Sequence, residues 1–84
     1  MLTQRYSAEH EALRRAVRQL RTSACVTQTQ LSSQLGVPQS FVSKYESGER
    51  DLSYTDVYLI CEAIGCSVHT LHERFILELH ESKS

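Results

Sequence analysis

The chain has 84 residues, 40% of them hydrophobic and 23% charged, with a formal net charge of −1. Those proportions describe one small globular domain, residues 1–84, and exclude a disordered or fibrous chain. No apolar run approaches the roughly 18 residues of a membrane-spanning helix; the longest is Val57 to Cys61.

Charge is unevenly distributed. Residues 1–50 carry seven Lys/Arg against four Glu, a balance of +3, and residues 51–84 carry two against six acids, a balance of −4. A positive half can attract a polyanion although the whole chain is near neutral. The start, Met1-Leu2-Thr3-Gln4-Arg5, is not a hydrophobic signal segment, so secretion is not expected. Three cysteines are too few for a disulfide framework and fit a reducing, cytoplasmic setting. A chain this short buries only about 60% of its unfolded surface, and oligomerisation is a usual remedy.

The apolar spacing is helical nearly throughout and predicts five helices. The first runs from about Ala8 to Ser23, capped by Ser7, with Leu13, Ala16, Val17, Leu20 and Ala24 as one stripe and Arg14, Arg15 and Arg18 largely off it. The second begins at Thr27, which with Gln30 matches a capping box, and ends at Gly36. The third starts past Val37 with Pro38 at its first helical position and stops at Gly48. The fourth is capped by Ser53, with Asp56 three residues on, has Leu59, Ile60, Ala63 and Ile64 as its apolar face, and ends at Gly65. The fifth is capped by Ser67, with Val68, Leu71, Phe75 and Leu79 as its stripe, and the tail from Glu81 to Ser84 is expected to fray. The fold class is therefore all-α, a compact five-helix bundle.

Helices two and three carry the functional signal. Two short helices joined by a three- or four-residue turn containing Gly make a helix-turn-helix. Ser32 is small enough for a close crossing, Gly36 takes a backbone angle that side chains disfavour, and Leu31, Leu35, Val37, Val42 and Tyr45 are expected to face inward. Gln39, Ser40, Ser43 and Lys44 are then left on an outward face of helix three. Gln can bond adenine bidentately, Lys can donate to guanine, and Ser serves either role. The N-terminal residues of such a helix meet base edges in the major groove, and here they are Gln39 and Ser40. The start of helix two, at Thr27 and Gln28, offers free N–H groups and a positive dipole end to a phosphate.

These segments resemble the phage repressor/Cro-type (XRE) helix-turn-helix family of DNA-binding regulators. The resemblance rests on Thr27-Gln28, Leu35-Gly36-Val37, the run from Pro38 to Lys44, Glu46-Ser47-Gly48-Glu49-Arg50, Asp56-Val57, Ile60-Cys61, Ala63-Ile64-Gly65 and Ser67-Val68, and covers about residues 10 to 75. It implies a lambda-repressor-like fold and a transcriptional regulator or repressor. By position, Gln28 resembles the glutamine that grips a phosphate and props the first recognition residue. Gln39, Ser40, Ser43 and Lys44 resemble the base-reading residues, Ser47 and Arg50 resemble DNA-backbone contacts, and Arg21 with Glu46 resembles a structural ion pair. Two positions depart from the pattern. Glu49 stands where some relatives carry a basic residue, and Phe41 is bulky where a small or polar residue is common; Phe41 either meets a thymine methyl or sugar or packs on the protein.

Other constellations are weaker. Cys61, Cys66, His69 and His72 form a run of zinc-type ligands, but Cys61 falls on an inward face and helix geometry aims the four apart, so no metal is expected. Cys25 reads as a small buried residue. His10, His69, His72 and His80 read as surface residues, and no catalytic motif, cofactor site or small-molecule site is recognisable, so no enzyme is expected. Ile76 and Leu77 sit off the stripe of helix five and point to a homodimer built on that helix, with or without residues 1–10. Arg5 gives residues 1–10 only thin support as a minor-groove arm. The expected partner is double-stranded DNA, read as a near-palindromic operator; the alternative is a protein-interaction module, an antitoxin or adaptor, on the same scaffold.

Overall fold

The computed structural model describes residues 7–83. Its elements are α1 (Ala8–Ser23), α2 (Gln28–Leu35), α3 (Gln39–Ser47), α4 (Tyr54–Ile64) and α5 (Val68–Lys83), with no strand among the described residues. Except at α3, the helices start where polar side chains satisfy exposed N–H groups. Ser7 Oγ accepts from the His10 amide at 3.2 Å, and Ser67 Oγ from the Thr70 amide at 3.0 Å. Capping boxes open α2 at Thr27/Gln30 and α4 at Ser53/Asp56.

Packing gathers Ala16, Val17, Leu31, Val42, Tyr45, Val57, Ile60, Cys61 and Leu71 into one buried cluster, with Leu13, Leu20, Val26, Leu35, Phe41 and Phe75 among the half-buried residues around it. Each fully buried large side chain contributes about 1.5–3 kcal/mol. Tyr45, Leu31, Ile60, Val17 and Val42 are the largest, so the first four helices all feed the centre. The longest contact runs between α1 and α5, while α2 lies on α3 and α4. The helix-turn-helix is thereby seated on α1 and α4, and α5 lies across α1 away from it.

Four local expectations change. Pro38 is the N-cap of α3, not its first helical residue. Its ψ of 152° is extended, and its carbonyl accepts from the Phe41 amide at 2.9 Å, which is the role of a half-in residue. Ala24 is exposed at the C-cap of α1, and Ala12 is buried instead. Cys25 is exposed, not buried, and holds φ at +60°. It fills the left-handed position of a Schellman corner, in which the Val26 amide returns to the Arg21 carbonyl at 3.2 Å. That position normally takes Gly, and a side chain there costs about 1–2 kcal/mol. The corner turns Val26 toward the core at that cost. Finally, Leu59 is exposed, and Val57 and Cys61 are buried on α4 beside Ile60 instead; Ser84 and Arg5, with the rest of residues 1–6, lie outside the described residues.

The α1–α5 seam contains a charged group that hydrophobic patterning does not reveal. Glu78 is buried. Its Oε2 accepts from Arg74 Nη2 at 2.7 Å and Nε at 3.1 Å, and its Oε1 from Arg15 Nε at 3.2 Å. Burial pushes the carboxyl pKa up, but the bonds from Arg74 and then Arg15 outweigh it and hold it below the ordinary glutamate value. A lowered folded pKa gives stability that is present above the unfolded pKa of about 4.3 and is lost as pH falls through the folded value. In acid titrations followed by circular dichroism, Glu78→Gln is therefore expected to lower stability at neutral pH. It should also lose less stability than the parent as pH falls through and below the unfolded value of about 4.3; an unchanged acid profile would contradict this role.

Candidate nucleic-acid interface

The site is built around Glu46, near the C-terminal end of α3. Arg21 of α1 and Glu46 keep only 9% and 5% of their side-chain surfaces exposed. Arg21 Nε donates to Glu46 Oε2 at 2.7 Å and Nη2 to Oε1 at 3.0 Å, a forked pair that adds direction as well as charge. The remaining terminal nitrogen, Nη1, donates to the Val26 carbonyl at 2.8 Å. One guanidinium thus ties α1 to α3 and to the α1–α2 corner.

The pair extends outward. Gln28 Nε2 donates to Glu46 Oε1 at 2.9 Å, and Gln39 Nε2 donates to Gln28 Oε1 at 2.8 Å. The polarity of this line follows from chemistry. An ionised carboxylate only accepts, so Gln28 must present its NH₂ to Glu46 and its carbonyl oxygen to position 39. Gln39 then spends one N–H on Gln28 and keeps the other N–H and its own Oε1. Those are the donor and acceptor that adenine N7 and N6 require.

Around Gln39 the outward face of α3 has the expected composition. Gln39, Ser40 and Lys44 are exposed and Ser43 is half-buried. Ser43 Oγ donates back to the Ser40 carbonyl at 3.2 Å, which uses its one hydrogen and leaves the oxygen as an acceptor only. Next to this face, the capping box of α2 consumes two helix-start donors: the Thr27 amide goes to Gln30 Oε1 at 2.9 Å and the Gln30 amide to Thr27 Oγ1 at 3.0 Å. The free N–H groups at this helix start are therefore those of Gln28 and Thr29, and not that of Thr27.

The loop after α3 is more engaged than the sequence indicates. Arg50 lies 4.4 Å over the Phe41 ring and 4.0 Å from Asp56 Oδ2. Phe41 is half-buried, packs on the core and meets Tyr45 edge-on at 5.8 Å. Of the two roles open to Phe41, these contacts match packing on the protein. Ser47 is exposed; its Oγ donates to the Lys44 carbonyl at 3.1 Å and lies 3.4 Å from Glu49 Oε2, so an acid stands beside the hydroxyl. Gly48 has φ +92°, which side chains disfavour, and the Arg14 guanidinium packs 3.0 Å from where a Cβ would stand.

One basic residue escaped the sequence reading. Arg18 is 65% exposed and holds Nε 3.8 Å from Glu46 Oε1. Its three-residue spacing from Arg21 was the available signal, because residues so spaced share a helix face. The zinc-type run is dispersed, with Cys61 buried and His69 and His72 exposed, and the described residues hold no group of three or more metal-ligating side chains. Among them no helix is long and apolar enough to cross a membrane.

Residues 17–71 match the family model described as helix-turn-helix. A solved XRE-family like protein from Pseudomonas syringae pv. tomato str. DC3000 is similar at 36% identity, TM-score 0.76, over 83% of this chain and 85% of that one. The chain belongs to the XRE family of helix-turn-helix proteins. The clp gene regulator ClgR from Corynebacterium glutamicum is similar at 25% identity and TM-score 0.82, over 89% of this chain and 80% of that one. The restriction-modification controller protein C.Esp1396I, solved as a tetramer with its natural 35 base-pair operator, shares the fold at 20% identity and TM-score 0.80, over 87% of this chain and 96% of that one. No curated protein matches the chain.

Because Arg21 and Glu46 are both buried, removing one strands the other. Arg21→Ala is expected to cost about 3–5 kcal/mol in denaturant unfolding, against well under 1 kcal/mol for Arg18→Ala, whose partner is reached at long range from an exposed position. Equal losses for the two variants would contradict the assignment of Arg21 as the structural partner.

Proposed function

We propose that this XRE-family chain is a sequence-specific DNA-binding transcriptional regulator without a catalytic step. It works in the cytoplasm by occupying an operator and thereby blocking or recruiting polymerase. The observation that carries this reading is the line from Glu46 through Gln28 to Gln39. It holds the first residue of the exposed α3 face in one pose, with a base-reading donor and acceptor still available. Helix α3 enters the major groove, where Gln39, Ser40, Ser43 and Lys44 read base edges. The amides of Gln28 and Thr29, with the dipole of α2, hold one phosphate. Ser47 and Arg50 hold the backbone on the far side of α3, and Arg18 adds positive charge near Glu46. Arg50 must leave Asp56 or reach past it, so its contribution is electrostatic positioning and not sequence reading.

A homodimer completes the reading. Exposed large hydrophobic residues occur on α4, at Tyr54, Tyr58 and Leu59, and on α5, at Leu77. A second copy covering part of this surface would set two α3 helices in successive major grooves, about 34–36 Å apart. The operator would then be near-palindromic.

Selection of bound duplexes from a random library at about physiological salt, where counterion release still permits specific binding, tests the reading. An enriched inverted repeat with half-sites one helical turn apart is expected. Arg50→Ala should then weaken binding evenly across sequences and reduce the salt slope by about 1. A folded protein that enriches no sequence would overturn DNA reading and favour a protein partner.

A further inference from the structure

The α4–α5 corner brings two of the three cysteines together. The Cys66 amide donates to the Cys61 carbonyl at 3.0 Å, and the Gly65 amide to the Glu62 carbonyl at 3.3 Å. This is a Schellman corner with Gly65 in the left-handed position at φ +81°. Such corners place the side chain after the glycine against the one five residues before it, and here both are cysteine. Covalent geometry bounds their separation. A 3.0 Å N···O bond, with Cα–N of about 1.5 Å and Cα to carbonyl oxygen of about 2.4 Å, keeps the two Cα atoms within about 7 Å. That is within the reach of a disulfide without large backbone movement. Cys61 belongs to the buried core and Cys66 is half-buried against it.

We propose that Cys61 and Cys66 form an oxidative modification site, a dithiol that a dissolved peroxide converts to an intrachain disulfide across the α4–α5 corner. Cys66 is the more accessible sulfur and meets the oxidant first. Its thiolate attacks one peroxide oxygen; an S–O bond forms, the O–O bond breaks, and one water leaves after proton transfer. Cys61 sulfur then displaces the hydroxyl of the resulting sulfenic acid as a second water, forming the S–S bond. Two thiols lose two electrons and two protons, and the peroxide becomes two waters. Burial pushes the Cys61 thiol up, with the adjacent Cys66 adding to the rise, which makes Cys61 the poorer thiolate of the two and leaves the first oxidation to Cys66. Closing this ring pins the corner from which α5 departs to cover α1. The site depends on the fold alone and stands whether or not the chain binds DNA.

Peptide mapping of the folded chain tests it. The protein is treated with stoichiometric hydrogen peroxide, denatured, alkylated and digested with trypsin, which leaves both cysteines on residues 51–74. That peptide should lose the mass of two hydrogens and resist alkylation until a reductant is added. Cutting after Glu62 should leave its two halves linked. Alkylation at Cys61 and Cys66 after all peroxide is consumed, or Cys66 oxidised beyond sulfenic acid while Cys61 still alkylates, would overturn the proposal. In Cys61→Ser the Cys66 sulfenic acid should persist and be trapped by dimedone. Should that variant fail to fold, the map of the parent chain decides.

Discussion

Glu46 is a carboxylate with almost no access to water, and an ionised group can remain there only if its oxygens are bonded. Arg21 supplies a forked pair and Gln28 a further N–H. Because those partners come from α1 and α2 while Glu46 belongs to α3, satisfying one charge fixes the relative placement of three helices. The same bonds decide which way the Gln28 amide points, and so what Gln39 must do. Stability and the pose of the α3 outer face are thus set by one group. Apolar packing of Tyr45, Leu31 and Val42 supplies more of the energy, but it is non-directional and would tolerate α3 rotated by a few degrees. The ion pair would not.

The second charged clamp, at Glu78, works differently. It joins α1 to α5 away from α3, through Arg15 on one helix and Arg74 on the other. Buried pairs of this kind seldom add net stability over a hydrophobic alternative. Their value here is register: Glu46 fixes the helix-turn-helix on α1, and Glu78 fixes α5 along the same helix. Helix α1 is therefore the common reference for both ends of the molecule, consistent with the arginines spaced along it at 15, 18 and 21.

Most of the fold was legible because it is written in local chemistry. Ser7, Thr27, Ser53 and Ser67 cap the helices where capping rules put them, and Gly36, Gly48 and Gly65 all take positive φ. The errors occurred where local rules point the wrong way. Cys25 looks like a core residue by type, yet it occupies a glycine position because the Arg21–Val26 bond requires the turn there. Glu78 looks like a solvated helix residue, and only Arg74 at four-residue spacing hinted otherwise; its other partner, Arg15, lies 63 residues away. In the candidate site, the resemblance supplied the residue types at 21, 28, 39 and 46. It did not supply the engagement of Arg50 by Phe41 and Asp56, because Phe41 departs from the family pattern at that point.

If the line from Glu46 through Gln28 sets the pose of Gln39, any base preference at Gln39 depends on both glutamines. A double-mutant cycle tests it most directly, because Gln28→Ala removes the prop while Arg21 and Glu46 stay paired. Binding of the parent, Gln28→Ala, Gln39→Ala and the double variant would be measured on the selected operator and on duplexes altered at the base pair proposed for Gln39. Gln28→Ala is expected to erase the preference there, about 1–3 kcal/mol, as fully as Gln39→Ala does, and the double variant to lose nothing more. A Gln28→Ala protein that binds all duplexes more weakly but keeps the full preference would contradict it.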